Sequence, residues 1–368
     1  MIKVLHIGLS KNPGGVENQI FNYFKNIDRN EFHFGFFDLY GEGIAFQKEI
    51  ESIGGEIFST INYKKAPIRL IKDLLSLIKK EKYDILHFHM QSTANILPIL
   101  VGKYCKIIVI GHSHSSSVPN GIIRKLLNSV NRKFLYYVNL TKWACSICAG
   151  TWMWQDRFKN QDVIVNAIDE SIFKMNYSVR NRIRAEYGIK EEDRVLGFVG
   201  RFGCEKNVFY LIKILKKLIN KKERYILFTV GGNDCYNEFE KKIYSENLSN
   251  RHISVGVKQS TVDYYKAMDV FLLPSFFEGF PVVALEAQAT GLPCLLSNKI
   301  SSEVKLTDNL MFLPIDGDDT VDIWIERIER LFDKRGSFIV NFPSKYSISY
   351  ATRILEERYI ELLEGKIR

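Results

Sequence analysis

Short apolar runs alternate with amphipathic stretches along the chain. In the first half the runs fall at 2–9 (IKVLHIGL), 32–38 (FHFGFFD), 84–88 (DILHF), 106–111 (KIIVIG), 142–146 (TKWAC) and 162–165 (DVIV). Helical periodicity lies between them, most clearly at 16–26 and 68–80. Runs of this length separated by helices predict βα units around a parallel sheet. The second half repeats the arrangement, with strands expected at 194–200, 225–231, 253–256, 269–273, 293–297 and 310–313. Helices are expected there at 206–220, 236–246 and 281–290. Between the halves the pattern stops, and 166–178 reads as a linker. Near the end, 348–364 places Ile348, Tyr350, Ile354, Tyr359 and Leu362 or Leu363 on one helical stripe. The fold class is therefore α/β, with two similar domains at 1–168 and 169–347. A C-terminal segment, 348–368, supplies a helix that packs back toward the first domain. Two such domains facing across a cleft would turn the carboxyl ends of both strand sets toward one ligand.

A length of 368 residues exceeds what one core usually supports, so two domains agree with the pattern. No apolar run approaches the roughly 18 residues that cross a bilayer. The opening MIKVLHIGLS reads as a strand and lacks the basic start of a signal peptide, which sets the expectation of a cytoplasmic protein. The six cysteines suggest no disulfide framework in such a chain. Cys145 and Cys148 form one CxxC with no second ligand pair at metal spacing, and read as small apolar residues.

Charge is unevenly distributed along the chain. Residues 1–168 hold 21 basic against 13 acidic side chains, or +8, while the remainder holds 30 against 29. An N-terminal half so biased is expected to meet something anionic. No nucleic-acid motif or aromatic-studded basic stripe is present, so nucleic acid is not an expected partner. Segment 121–134 (GIIRKLLNSVNRKF) sets Arg124, Lys125, Arg132 and Lys133 beside Ile122, Ile123, Leu126, Leu127 and Val130. Such a helix either lies on anionic lipid in peripheral contact or presents a solvated basic face.

The most informative chemistry is LPSFFEGFPVVALEAQATGLP, from Leu273 to Pro293. A buried strand leads through Glu278, Gly279 and Phe280 into a helix, with Pro281 in its first turn and Gly291 and Pro293 at its stop. Free backbone N–H groups and a positive dipole end near Phe280 to Val282 suit a phosphate. Glu278 precedes the helix, and Glu286 lies roughly 8 Å along its axis from Pro281 at 1.5 Å per residue. Two acceptor-only carboxylates at that separation suit the hydroxyls of a two-part ligand, a sugar and a ribose.

The pattern PSxxEGFPxxxxEAxAxGLP resembles the signature of glycosyltransferase family 4, a retaining family of GT-B fold. GRFGCEKN (200–207) and GGVENQIFNYFKNID (14–28) are similar to two further family segments. ACSICAGTW (144–152) and VIVNAID (163–169) resemble the branch that builds bacterial capsules and exopolysaccharides. The resemblance implies a GT-B fold and hexosyl transfer from a nucleotide-sugar, UDP-linked, to a lipid-linked saccharide at the inner membrane face. It implies no cofactor and no catalytic metal. Arg201 and Lys206 would hold the donor diphosphate, a role suited to two cations in a partly dry site. Glu278 would take the sugar hydroxyls and Glu286 the ribose. Gly14 and Gly15 would let the backbone approach the phosphates, and Val257 would meet the base through its backbone.

His112, directly after the apolar run IVIG, matches the family's active-site histidine, with His114 the alternative. His87 and His89 share one strand face, but no third ligand follows at recognisable spacing, so no metal is expected there. Asp316-Gly317-Asp318 reads as a solvated turn, not a metal–nucleotide site. A non-catalytic sugar-nucleotide-binding partner of another transferase is the rival, and intact Arg201, Lys206, Glu278 and Glu286 count against it. A nicotinamide oxidoreductase would require a GxGxxG that this chain lacks.

Overall fold

The β-branched and aromatic runs form two sets of six parallel strands. The computed structural model describes residues 1–115, 121–221, 224–332 and 341–365. The first set comprises β1 (Ile2–Ile7), β2 (Phe32–Asp38), β3 (Glu56–Ser59), β4 (Ile85–Met90), β5 (Ile108–Ser113) and β6 (Thr141–Ala144). Its order across the sheet is β3-β2-β1-β4-β5-β6. The second comprises β7 (Arg194–Arg201), β8 (Tyr225–Gly232), β9 (His252–Gly256), β10 (Val270–Leu273), β11 (Cys294–Ser297) and β12 (Leu310–Leu313), ordered β12-β11-β10-β7-β8-β9. In both sheets the chain winds to one side of its first strand and then to the other. That reversal leaves a crevice at the carboxyl ends of β1 and β4, and another at those of β7 and β10.

By contacts the chain divides into unit 1, Met1–Ala167 with Lys345–Arg368, and unit 2, Ile168–Ser344. Residues 366–368 of the expected C-terminal segment lie outside the described residues.

Unit 1 buries both faces of its sheet. One face packs Phe24, Phe32, Phe34 and Trp143 with Ile348, Leu355, Tyr359 and Leu362 of the helix Ile348–Leu363. The other packs Leu70, Leu74 and Ile78 of the helix Pro67–Glu81 against Leu86, Val109 and Trp154. Burying an aliphatic or aromatic side chain contributes about 1.5–3 kcal/mol, so the returning helix is part of this core and not an appendage. It is fastened by polar contacts too: the Asp28 N–H donates to Glu356 Oε1 at 2.8 Å, and Arg358 Nη2 donates to the Gln161 carbonyl at 2.9 Å.

In unit 2 the buried Asp269, just before β10, accepts from Arg180 Nη2 at 2.5 Å and from the Val195 N–H at 2.8 Å. Arg180 also donates to the Lys266 and Met268 carbonyls. This fully bonded pair ties the helix Tyr177–Glu186 to β7 and β10.

Some elements differ from the sequence reading. The expected strand 162–165 is a single bridge, Ala144 to Val163, because short 3₁₀ turns at Gln155–Arg157 and Asn160–Asp162 leave too little extended chain to pair. β3, with exposed end residues and half-buried middle ones, was not expected. The stretch read as linker contains a one-turn helix, Glu170–Phe173, capped by Asp169. The signature helix runs Val282–Ala289, so Pro281 is its cap, in extended conformation, and not its first turn.

Candidate functional site

Arg201 is the last residue of β7, and Lys206 ends the 3₁₀ turn Cys204–Lys206 that follows. The strand can end this way because Gly231 on β8 lets two backbones close up: a Cβ there would stand 1.9 Å from the Gly200 carbonyl oxygen. Glu278 lies in the loop after β10, the neighbouring strand. Both loops thus emerge at the crevice of unit 2, where the strand order reverses.

The charged groups hold one another. Lys206 Nζ donates to Glu278 Oε1, which also accepts from Ser275 Oγ at 3.0 Å. Both members of the pair are only 15% exposed, so each stabilises an otherwise costly buried charge. Arg201 is more open, at 59%, and pairs with Glu205 at 2.9 Å and Asp234 at 3.5 Å. A ligand phosphate would therefore share cations that carboxylates now occupy. Next to them, the helix Val282–Ala289 has no side-chain cap; its Ala284 N–H donates to the Pro281 carbonyl at 3.0 Å, and the end of its dipole favours an anion. Gly279, Phe280, Pro281 and Val282 form the approach to that end, with Phe280 and Pro281 buried.

One turn on, the half-buried Glu286 accepts from Tyr265 Oη at 2.6 Å. Burial pushes its carboxyl up to about 7, against the pull of bonds from Tyr265 and Thr261. Val257 is exposed just past β9, and its Cγ2 would lie 3.2 Å from a Cβ on Gly232, the register partner of Arg201. Unit 2 thus gathers Arg201, Lys206, Glu278, Glu286 and the helix end, with Val257 on the same sheet edge. Ser275, Tyr265, Glu205 and Asp234, which fix those side chains, were not singled out in the sequence. Ser275 and Glu205 lie inside the quoted segments, whereas Tyr265 and Asp234 lie 21 and 33 residues from the groups they hold, and no local spacing marks those two.

His112, Gly14 and Gly15 belong to unit 1. Gly14 caps the helix Gly15–Asn26, and a Cβ there would stand 2.8 Å from Glu17 Oε2. Glu17 is buried and accepts from Ser10 N and Oγ, closing the turn after β1. His112 lies on β5 in register with His89 on β4 and Trp143 on β6. The sheet also brings in His6, His87 and His114, so five of the chain's seven histidines form one cluster. The sequence reading found no third partner for His87 and His89 because the partners sit on other strands.

Residues 179–332 match the family described as Glycosyl transferases group 1. EpsF of Bacillus subtilis (strain 168) is 27% identical over 335 residues, covering 89% of this chain and 87% of EpsF. The UDP-Gal:alpha-D-GlcNAc-diphosphoundecaprenol alpha-1,3-galactosyltransferase of Escherichia coli is 27% identical over 325 residues, 81% of this chain and 82% of that one. The capsular polysaccharide biosynthesis glycosyltransferase CapH of Staphylococcus aureus is 26% identical over 371 residues, 98% and 99% of the two chains. Among solved structures, Anabaena HepE in complex with UDP and glucose superposes with a TM-score of 0.78 at 17% identity, covering 98% of this chain and all of that one. A Rickettsia africae glycosyltransferase does so at 0.79 and 18% identity, covering 98% of each chain. The chain thus has the GT-B fold and carries, at residues 179–332, a domain that matches the glycosyl transferases group 1 family.

Proposed function

We propose that the protein moves a hexosyl group from a UDP-linked donor to a lipid-linked saccharide in capsule or exopolysaccharide synthesis, with retention at the anomeric carbon, in the manner of glycosyltransferase family 4. The observation that carries this reading is the pairing of two cations with three carboxylates at the β7–β10 crevice, beside an uncapped helix end. Arg201 and Lys206 neutralise the diphosphate as the sugar–phosphate bond breaks, and the helix N–H groups share its charge. Glu278 takes the sugar hydroxyls and Glu286 the ribose hydroxyls. The departing phosphate oxygen accepts the acceptor's proton on the face it leaves, so no enzymic nucleophile is needed. Val257 meets the base, and in unit 1 the Gly14–Gly15 turn and His112 serve the phosphates and the sugar by the family pattern. The donor reading draws on the UDP and glucose bound to HepE, and the acceptor reading on the diphosphoundecaprenol named for the Escherichia coli relative.

The same reading places the protein against an anionic membrane. The helix Ile122–Tyr137 buries only Asn128 and Leu135. Asn128 fastens it by accepting from the Thr93 N–H at 2.9 Å. Ile122, Ile123 and Val130 are 87%, 75% and 56% exposed, and Arg124, Lys125, Arg132 and Lys133 flank them. Apolar side chains left in water beside cations suit the boundary of an anionic bilayer. Among the described residues no helix is long and apolar enough to cross one.

The test is direct. Purified protein is screened by thermal shift against nucleotide-sugars, then assayed for donor hydrolysis and transfer after thorough chelation. A donor at 100 times its dissociation constant stabilises by about 2.7 kcal/mol. Stabilisation by a UDP-hexose, with turnover that survives EDTA, is expected. Loss of turnover restored by magnesium or manganese would overturn the metal-free diphosphate site, and donor binding without any turnover would favour the non-catalytic rival.

A further inference from the structure

Of the five histidines clustered in unit 1, the proposed transfer uses His112 alone. Its rings are linked nitrogen to nitrogen: His6 Nδ1 to His89 Nε2 at 3.0 Å, His89 Nδ1 to His114 Nε2 at 3.0 Å, and His87 Nε2 to His112 Nδ1 at 2.9 Å. His87 Nδ1 meets Tyr359 Oη at 2.7 Å. All but the half-buried His114 are buried. Among the described residues, three buried nitrogens of this region, His6 Nε2, Gln19 Nε2 and His112 Nε2, have no hydrogen-bond partner. The residues carrying all three line a cavity of about 10 Å³ among the rings, close to the room that one water-sized sphere or one ion needs.

We propose that His89, His112 and His114 bind a single divalent transition-metal ion at the carboxyl ends of β4 and β5. One ring nitrogen of each lies within 4.8 Å of the others. His89 Nδ1 and His114 Nε2 already stand close to the ~3.3 Å expected of two ligands 2.0–2.1 Å from a tetrahedral ion. His112 offers its unpartnered Nε2. The other two rings stand where a metal site needs them. With Nε2 on the ion, His112 Nδ1–H donates to His87, which donates in turn to Tyr359 Oη. With Nδ1 on the ion, His89 Nε2–H donates to His6. Such outer partners fix the tautomer and orientation of ligating histidines. At neutral pH an imidazole is mostly in the neutral form that ligates. Three imidazoles without a carboxylate or thiolate suit zinc, copper or nickel and not magnesium or calcium. His114, half-buried at the strand end, gives the ion its way in, and the fourth position is left to solvent.

Such an ion would occupy the nitrogen that the proposed sugar role of His112 requires. Metal loading and transfer therefore compete, and the site is inhibitory. That last clause alone rests on the transferase reading; the binding does not.

The experiment uses the full chain, untagged and in a Cys204→Ser background, which removes the exposed thiol pair of Cys204 and Cys235 that could also take zinc. Chelator-stripped protein is titrated with Zn²⁺ and bound metal counted by equilibrium dialysis, with circular dichroism as the fold control. One saturable ion per chain is expected. His114→Ala, at the half-buried strand end, should weaken it more than tenfold, and His87→Gln should weaken it about 10–100-fold while leaving the stoichiometry at one. Absence of saturable binding in the folded parent, or binding unchanged by His114→Ala, would overturn the site. Transfer is read separately: zinc should lower it and chelation raise it. Zinc that binds without affecting turnover would leave the metal site standing and remove His112 from the transfer reaction.

Discussion

At the scale of single residues, the proposed donor site rests on cations that carboxylates already pair. Replacing Arg201 or Lys206 by Ala is expected to lower kcat by roughly two to three orders of magnitude, the scale on which losing an electrostatic stabiliser is felt. Near-parental turnover in a folded variant would remove that residue from the diphosphate. Glu286 makes a pH prediction. Its folded-state value, about 7, lies above the ordinary 4.5, so folding favours the protonated form. Its contribution to stability is complete below the unfolded value and is lost as pH rises through about 7. Ribose binding runs the opposite way, because only the ionised carboxylate accepts from both hydroxyls. The donor KM should therefore rise as pH falls from 8 to 6, and Glu286→Gln should flatten that profile while raising KM throughout. A parental profile with no inflection near 7 would mean that Glu286 does not face the ribose. Glu278 and the glutamate eight positions later were legible because strand, loop and helix follow one another in the chain. The hold of Lys206 on Glu278 was not, since 72 residues separate them and only the adjacency of β7 and β10 joins them.

At the scale of elements, periodicity located most strands, and the exceptions have physical causes. β3 sits at a sheet edge with its outer residues exposed, so its four residues carry little apolar signal. Sheet order, which hydropathy does not encode, is what gathers the histidines: β1 and β5 flank β4 although they are far apart in sequence. The basic helix was legible as amphipathic, and the reading of it as a solvated basic face would turn its apolar side to the core. In the structure most of that side faces solvent. Vesicles containing anionic lipid should therefore bind the protein and release it as salt rises, because surface attractions fade beyond a Debye length of about 8 Å at physiological ionic strength. Reversing Arg124, Lys125, Arg132 and Lys133 to Glu should abolish that binding and leave donor affinity unchanged. Equal vesicle binding by the parent and the reversed variant would make this helix an ordinary solvated face.

At the scale of the whole molecule, unit 1 is built from two stretches of chain with unit 2 between them in sequence. The helix Ile348–Leu363 closes the face formed by Phe32, Phe34 and Trp143, and Tyr359 at its centre is fully buried. Residues 1–167 made alone should consequently lack a cooperative thermal transition, and a peptide spanning 345–365 added in trans should restore one. A cooperative transition in the fragment by itself would show that the face is stable uncovered. The order of synthesis gives this arrangement a further consequence. When Ala167 leaves the ribosome, the floor of the first sheet has no cover, and the 177 residues of unit 2 are still to come before Lys345. At about 5–20 residues per second, that interval is roughly 10–35 s. For that time an aromatic surface waits in water beside a nascent second domain with apolar strands of its own. A ribosome that stalls within unit 2 therefore releases a first unit whose sheet is paired but whose floor is bare, a form fit for chaperones and proteases and unfit for catalysis.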